Sequence, residues 1–302
     1  MESRTSSERV ARIGWPMLRD SVDLCRRRQA PLAGFLPLHK RMFNGVFRDV
    51  AESQFGLEDL PTVVFSIEGF PATRAGLEAG DVITAINGRA LSRGARSMRQ
   101  LFDEMERVGF GRTILQLGGP RPRTISFTPV AACDFSLRVV DNPMINAFAD
   151  GQRVAITEGM MRFAGSDQEL ALVISHEIAH NLMDHIRKMY GNALMGTFID
   201  GLISGALDID TRGAASEAAR RVFSPAFEAE ADYVGLYLMA RSGREIRGAQ
   251  NFWRRMATVS PGSITLATSH PATPERFLAI GATVREIENK ERRGQPLRPN
   301  LR

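Results

Sequence analysis

The stretch VISHEIAHNLMDH, residues 173–185, sets two histidines four residues apart with a glutamate directly after the first. On a helix, residues four apart differ by about 40° in azimuth and about 6 Å along the axis. His176 and His180 therefore leave one face, close enough for both imidazoles to hold a single Zn²⁺ at about 2.1 Å. Glu177 is offset from that line, which suits a carboxylate that handles the proton of a water molecule rather than one that ligates metal. His185 falls about 140° round from His180 on a continuous helix, so it reads as a surface or packing histidine.

Punctuation around the stretch predicts a helix over about 167–190. Ser166 is a natural N-cap with Glu169 three residues on, a capping box, and Gly191 stands where such a helix ends. A catalytic zinc needs a third protein ligand and an open position, and a second helix offers one. In FSPAFEAEADYVGLYLMARSG (223–243), Ser224 fits the N-cap, Pro225 the first turn and Gly243 the end. Glu228 and Asp232 again stand four apart, within an otherwise apolar helix. Glu228 is assigned as the third ligand and Asp232 as the acceptor that orients a ligand imidazole through its other N–H. Glu230 points away and reads as solvated. The competing reading makes 228–232 an exposed acidic face. Two histidines and one glutamate, with no cysteine in the set, leave the fourth position open, which argues against a purely structural zinc.

The 302 residues, 43% hydrophobic and 24% charged, supply enough apolar material for two ordinary domains. The net charge of +5 comes from arginines scattered along the sequence, without a basic block interleaved with aromatics, so nucleic acid is not an expected partner. No run approaches the roughly 20 apolar residues of a membrane span. The nearest, ALMGTFIDGLISGAL (193–207), carries Asp200 and three glycines. It reads either as an amphipathic helix packed on the protein or as a membrane-touching or mobile cover over a site, and the wider segment 193–223 as a cover over the cleft. The polar N-terminus MESRTSSERV has no apolar signal core. Cys25 and Cys133, the only cysteines, form either one disulfide or two buried thiols.

Residues 1–54 read as a helical segment packing on the later domain, with a break at Pro31. From 55 to 130 the texture turns to short alternating runs, TVVFSI, DVITAI, TILQL and TISFTPV, with one helix at about 97–107. Candidate strands follow at 136–140, 145–149 and 153–157, then helices at about 167–190, 225–241 and 245–257, in a domain of 134–290 with a tail at 291–302. The fold class is therefore α+β: a mainly helical domain with a small sheet, plus a small mostly β domain.

Within the β segment, GFPATRAGLEAGDVITAINGRAL (69–91) resembles the PDZ domains attached to bacterial proteases. Ala75 to Leu77 would form a short helix, Gly80 a turn with positive φ and Asn87-Gly88 a tight hairpin. The resemblance implies capture of an extended peptide or a C-terminal peptide along a sheet edge. The loop FGLEDLP (55–61) is the candidate for gripping the terminal carboxylate, although it departs from the usual pattern. A domain that only spaces its neighbour is the alternative.

HEIAH followed by Glu228 and Asp232 resembles the gluzincin metallopeptidases of the HtpX and CAAX-prenyl-endopeptidase family, the forty-eighth metallopeptidase family. INAFADGQRVAITEGMM resembles that family's segment before the zinc helix, and SHPATPER (269–276) its C-terminal motif. The resemblance covers about residues 134–285 and points to the soluble bacterial type. It implies one Zn²⁺ per molecule and endopeptidase action on unfolded, misfolded or mislocalised proteins, with Glu177 as catalytic base and acid. It further implies His270 as a fourth ligand or oxyanion stabiliser, or else as part of a rigid loop, with Arg276 in support. Asn146, Ala147 and Phe148 would form either a strand edge against which substrate lies extended or one more interior strand. The expected compartment is the bacterial periplasm or cell envelope, with the cytoplasm as alternative; the oligomeric state stays open. The rival function is a PDZ-based, chaperone-like binder with a resting zinc domain.

Overall fold

A computed structural model describes residues 2–25, 28–119, 122–190, 224–259 and 274–301. The protein divides into two compact units, Met1–Arg26 with Asp134–Arg302, and Arg27–Cys133.

The first unit opens with α1 (Glu2–Asp20), whose Val10, Ile13 and Met17 are buried. Pro16 lies inside this helix and lacks the N–H that would bond the carbonyl of Arg12. Arg244 supplies the missing donor, its Nη2 lying 3.1 Å from Arg12 O.

The second unit contains β1 (Gln29–Leu32), β2 (Phe35–Leu38), α2 (Val46–Phe55), β3 (Thr62–Ser66), α3 (Pro71–Arg74), β4 (Val82–Ile86), β5 (Arg89–Ala90), α4 (Arg96–Val108), β6 (Thr113–Gly118), β7 (Arg123–Phe127) and β8 (Val130–Cys133). Its main sheet runs β2-β3-β4-β6-β7 with β5 added to β4, and β1 pairs β8 separately. Phe35, Val63, Leu77, Ile83, Leu101 and Leu115 form the core between sheet and helices. Residues 29–38 were expected to be helical or broken at Pro31, yet they form two strands. Proline is tolerated in both because each strand lies at an edge, where a missing donor breaks no central ladder. The boundary expected at residue 54 accordingly differs from the structural one near residue 26. The short helix expected at 75–77 ends one turn earlier, with Ala75 as its C-cap and Gly76 at φ +90°. Asn87 and Gly88 both take positive φ, 50° and 79°, as a tight β4–β5 turn requires.

The first unit resumes with β9 (Ser136–Val140), β10 (Ala147–Ala149) and β11 (Arg153–Thr157). They form a three-stranded sheet in the order β10-β11-β9, with β11 parallel to β9 and antiparallel to β10. Then come α5 (Glu158–Phe163), α6 (Asp167–Leu182), α7 (His185–Tyr190), α8 (Pro225–Arg241), α9 (Ala249–Val259) and α10 (Pro274–Arg292). Ser166 caps α6 by accepting from Glu169 N at 3.2 Å, and the Glu169 carboxylate reaches back to Gly165 N at 2.8 Å. The single helix expected over 167–190 is two: Asp184, at φ +57°, breaks it between α6 and α7. The third expected helix starts at Ala249, after Gly248 at φ +74°, rather than at 245.

Helices α6, α8 and α1 pack together, and α6 also rests against β10. Its buried residues run from Leu170 to Asn181, polar ones included. Helix α8 comes close to it at Gly235, where a Cβ would lie 3.2 Å from the backbone N of His176 and 3.2 Å from Ser175 C. Cys25 and Cys133 are both disulfide-bonded. Among the described residues, no helix is long and apolar enough to cross a membrane. The expectations for 193–207 and 193–223 lie outside the described residues.

Candidate active site

Helices α6 and α8 bring together the residues that their spacing had paired. The Nε2 atoms of His176 and His180 are 3.0 Å apart. Glu228 places Oε2 3.4 Å from His176 Nε2 and Oε1 3.3 Å from His180 Nε2. All three side chains are buried. Tetrahedral ligands at about 2.1 Å from a zinc ion stand about 3.4 Å from one another, so the observed triangle has the dimensions of three corners of such a shell. Two imidazole nitrogens and a carboxylate oxygen are also the donor types zinc accepts, and the residues fit the metal. His176, His180 and Glu228 form the one cluster of this kind among the described residues.

A buried charged framework surrounds this triangle. His176 Nδ1 lies 2.9 Å from Asp232 Oδ1, so the ring donates there and keeps Nε2 turned to Glu228. Arg276, from the start of α10, donates to Asp232 through Nε at 2.8 Å and Nη2 at 2.9 Å, and its Nη1 lies 2.8 Å from Glu228 Oε2. Trp253 of α9 covers both, its ring 4.8 Å from the guanidinium carbon and 5.1 Å from the His176 ring. Burial opposes charge on His176, but the carboxylates of Glu228 and Asp232 outweigh it and raise the ring to about 9. Burial likewise works against an ionised Asp232, yet Arg276 and His176 hold it below the usual carboxylate range.

One expectation is narrowed and one corrected. Of the two readings of His185, surface or packing, the structure has the packing one: the break at Asp184 turns it inward, fully buried, with Nδ1 3.0 Å from His180 Nδ1. Glu230 is not simply solvated, because its Oε2 lies 2.8 Å from His185 Nε2. Periodicity on an unbroken helix hid both, and the MDH sequence carries no glycine to announce a left-handed residue.

Glu177 is buried on α6 directly after His176. Ala147 and Phe148 lie in β10, an edge of the three-stranded sheet, and Asn146 immediately precedes it. The loop before β10 is clamped from below. The Thr157 hydroxyl donates to Asn146 O at 2.7 Å, and Gly159 leaves no room for a side chain, since a Cβ would lie 2.2 Å from the carbonyl oxygens of Pro143 and Met144. Asn181, which sequence reading missed, ties the end of α6 to the β10–β11 turn, accepting from Gly151 N at 2.6 Å and donating to Arg153 O at 3.0 Å. His270 lies outside the described residues.

The model of peptidase family M48 matches residues 123–284, more than half of the sequence, and that of a PDZ domain matches 66–108. Among curated proteins, this one is 27% identical over 187 residues to the mitochondrial metalloendopeptidase OMA1 of Schizosaccharomyces pombe, covering 59% of this sequence and 55% of that protein. It is 29% identical to the human mitochondrial metalloendopeptidase OMA1 over 43% of this sequence and 28% of that one. It is 26% identical to the beta-barrel assembly-enhancing protease of Yersinia pestis, over 42% and 29% respectively. The protein thus spans about half the length of the first of these relatives and under a third of the others. Against a solved HtrA3 PDZ domain the TM-score is 0.26 at 18% identity, over 35% of this sequence and 89% of that domain.

Proposed function

The protein belongs to peptidase family M48, a family of metal-dependent peptidases, and from that premise we propose that it is a zinc-dependent endopeptidase acting on unfolded, misfolded or mislocalised polypeptides. The observation that carries the proposal is the buried triangle of His176 Nε2, His180 Nε2 and the Glu228 carboxylate, with edges of 3.0 to 3.4 Å. These three residues would hold one Zn²⁺, which when bound polarises a scissile carbonyl and makes water acidic enough to attack near neutral pH. Glu177 takes the proton of the attacking water on its carboxylate and delivers it to the nitrogen of the leaving amine as the C–N bond breaks. Asp232 and Arg276 keep the His176 ring turned so that Nε2 faces His180 and Glu228. The side of β10 that carries no strand among the described residues would align an extended substrate by backbone pairing, which fits low sequence selectivity.

The PDZ domain recognises peptide or regulates the peptidase in this reading. In its main sheet, β2 is an edge strand, as strand addition of a peptide requires. The oxidised state of Cys25 and Cys133 supports an oxidising compartment such as the periplasm or cell envelope. The test is Glu177→Gln in the full-length protein: it retains one bound zinc and loses cleavage of casein. Cleavage undiminished in that variant would sink the assignment.

A further inference from the structure

Around His180, three groups form a line. His180 Nδ1 lies 3.0 Å from His185 Nδ1, and His185 Nε2 lies 2.8 Å from Glu230 Oε2. Two ring nitrogens 3.0 Å apart share a proton, and chemistry fixes which one carries it. For His180 to present the Nε2 lone pair towards Glu228 and His176, its neutral ring must carry the proton on Nδ1. That N–H then donates to His185 Nδ1, which accepts only if the His185 proton is on Nε2. The Nε2–H in turn donates to Glu230. This assignment satisfies both contacts of the line, His180 to His185 and His185 to Glu230, with neutral imidazoles and a carboxylate acceptor; reversing either bond turns His180 Nε2 from an acceptor into a donor.

The surroundings hold this line in place. His185 is fully buried and stacks on Phe227, with ring centroids 4.4 Å apart and planes 15° apart. It reaches this position only because Asp184 adopts φ +57° between α6 and α7. Phe227 and Glu230 belong to α8, as do Glu228 and Asp232. A single helix therefore carries the carboxylate of the triangle, the acceptor for His176 and, one imidazole removed, the acceptor for His180.

We propose that His185 and Glu230 are positioning residues: together they fix the tautomer and ring orientation of His180 so that its Nε2 is available to metal. This rests on the reading of His180 as a metal ligand. Partners of a ligand imidazole's second nitrogen typically contribute about 10–100-fold to metal affinity.

The experiment measures Zn²⁺ affinity of the full-length protein by competition with a chromophoric chelator, beside the thermal midpoint of each metal-free variant. His185→Leu is expected to weaken binding by about 10–100-fold. His185→Asn, which keeps an amide oxygen near the Nδ1 position, should recover part of that loss. Glu230→Gln should weaken binding in the same direction by less, and its metal-free midpoint should match the parent, because this side chain is about one-third exposed (34%). Should His185→Leu fail to fold, Glu230→Gln and His185→Asn decide. Affinities within twofold of the parent in Glu230→Gln and in the folded His185 variants overturn the proposal, as does a lowered midpoint with unchanged affinity. If the parent itself takes up no zinc, the metal reading has failed and the positioning role with it; if the parent binds one equivalent, only the positioning role is at stake.

Discussion

Arg276 grips Asp232 with two hydrogen bonds at once, Nε to Oδ2 at 2.8 Å and Nη2 to Oδ1 at 2.9 Å, while its remaining nitrogen faces Glu228. Removing one partner of a buried ion pair costs about 3–5 kcal/mol because the other charge stays behind. Arg276→Ala should therefore lower unfolding free energy by that order in denaturant titrations. Arg276→Lys should recover little of it, since an ammonium cannot span both oxygens and Glu228 in one plane. Full stability in the lysine variant would show that the fork geometry is unimportant.

Gly235 marks a close approach of α8 to α6, with the backbone of Ser175 and His176 3.2 Å from where a Cβ would sit. Neither neighbour is a side-chain end that can swing away. Gly235→Val should cost about 1–3 kcal/mol from overpacking and push the Glu228 helix from the histidines, so zinc affinity should fall as well. Unchanged affinity in a folded valine variant would mean that this contact does not set the triangle.

In the second unit, hydrogen bonds from Arg107 and Asn87, with Arg89 close by, hold Glu104 down at about 2. A carboxyl depressed in the folded state stabilises fully above its unfolded value, near 4.5, and loses that contribution as pH falls towards 2. Glu104→Gln should be less stable than the parent at neutral pH, with the gap closing between about 4.5 and 2. A gap that stays constant over this range, followed by denaturant midpoints, would contradict the pairing.

Metal removal should abolish casein cleavage and lower the thermal midpoint, both restored by Zn²⁺. Binding to the folded state alone stabilises it by about 2.7 kcal/mol at a hundredfold excess over the dissociation constant. A midpoint indifferent to chelator would argue that the triangle does not take up the ion.

The spacing of residues in regular helices was the most legible part of the site. His176 and His180 four apart, and Glu228 and Asp232 four apart, needed only helical geometry, and Ser166, Ser224 and Pro225 marked where those helices start. What stayed hidden depended on breaks. Asp184 gives no local signal of its left-handed conformation, so helical periodicity does not bring His185 against His180 or give Glu230 its partner. The strands at 29–38 were obscured by Pro31 and Pro37, because edge position is a property of the sheet and not of the segment. The helix from Pro274 was also passed over: its buried Ile280, Thr283, Val284 and Ile287 are separated by charged and small residues that blur the apolar stripe.

Because α1 closes the core of the peptidase unit while residues 27–133 form another body, the two units are nested in sequence. During synthesis α1 emerges more than a hundred residues before the segment it must pack against, so the inner body can be complete while the outer one is still waiting for its partner. Deleting α1 would thus take out a piece of the helical core, although His176 lies some 150 residues further on.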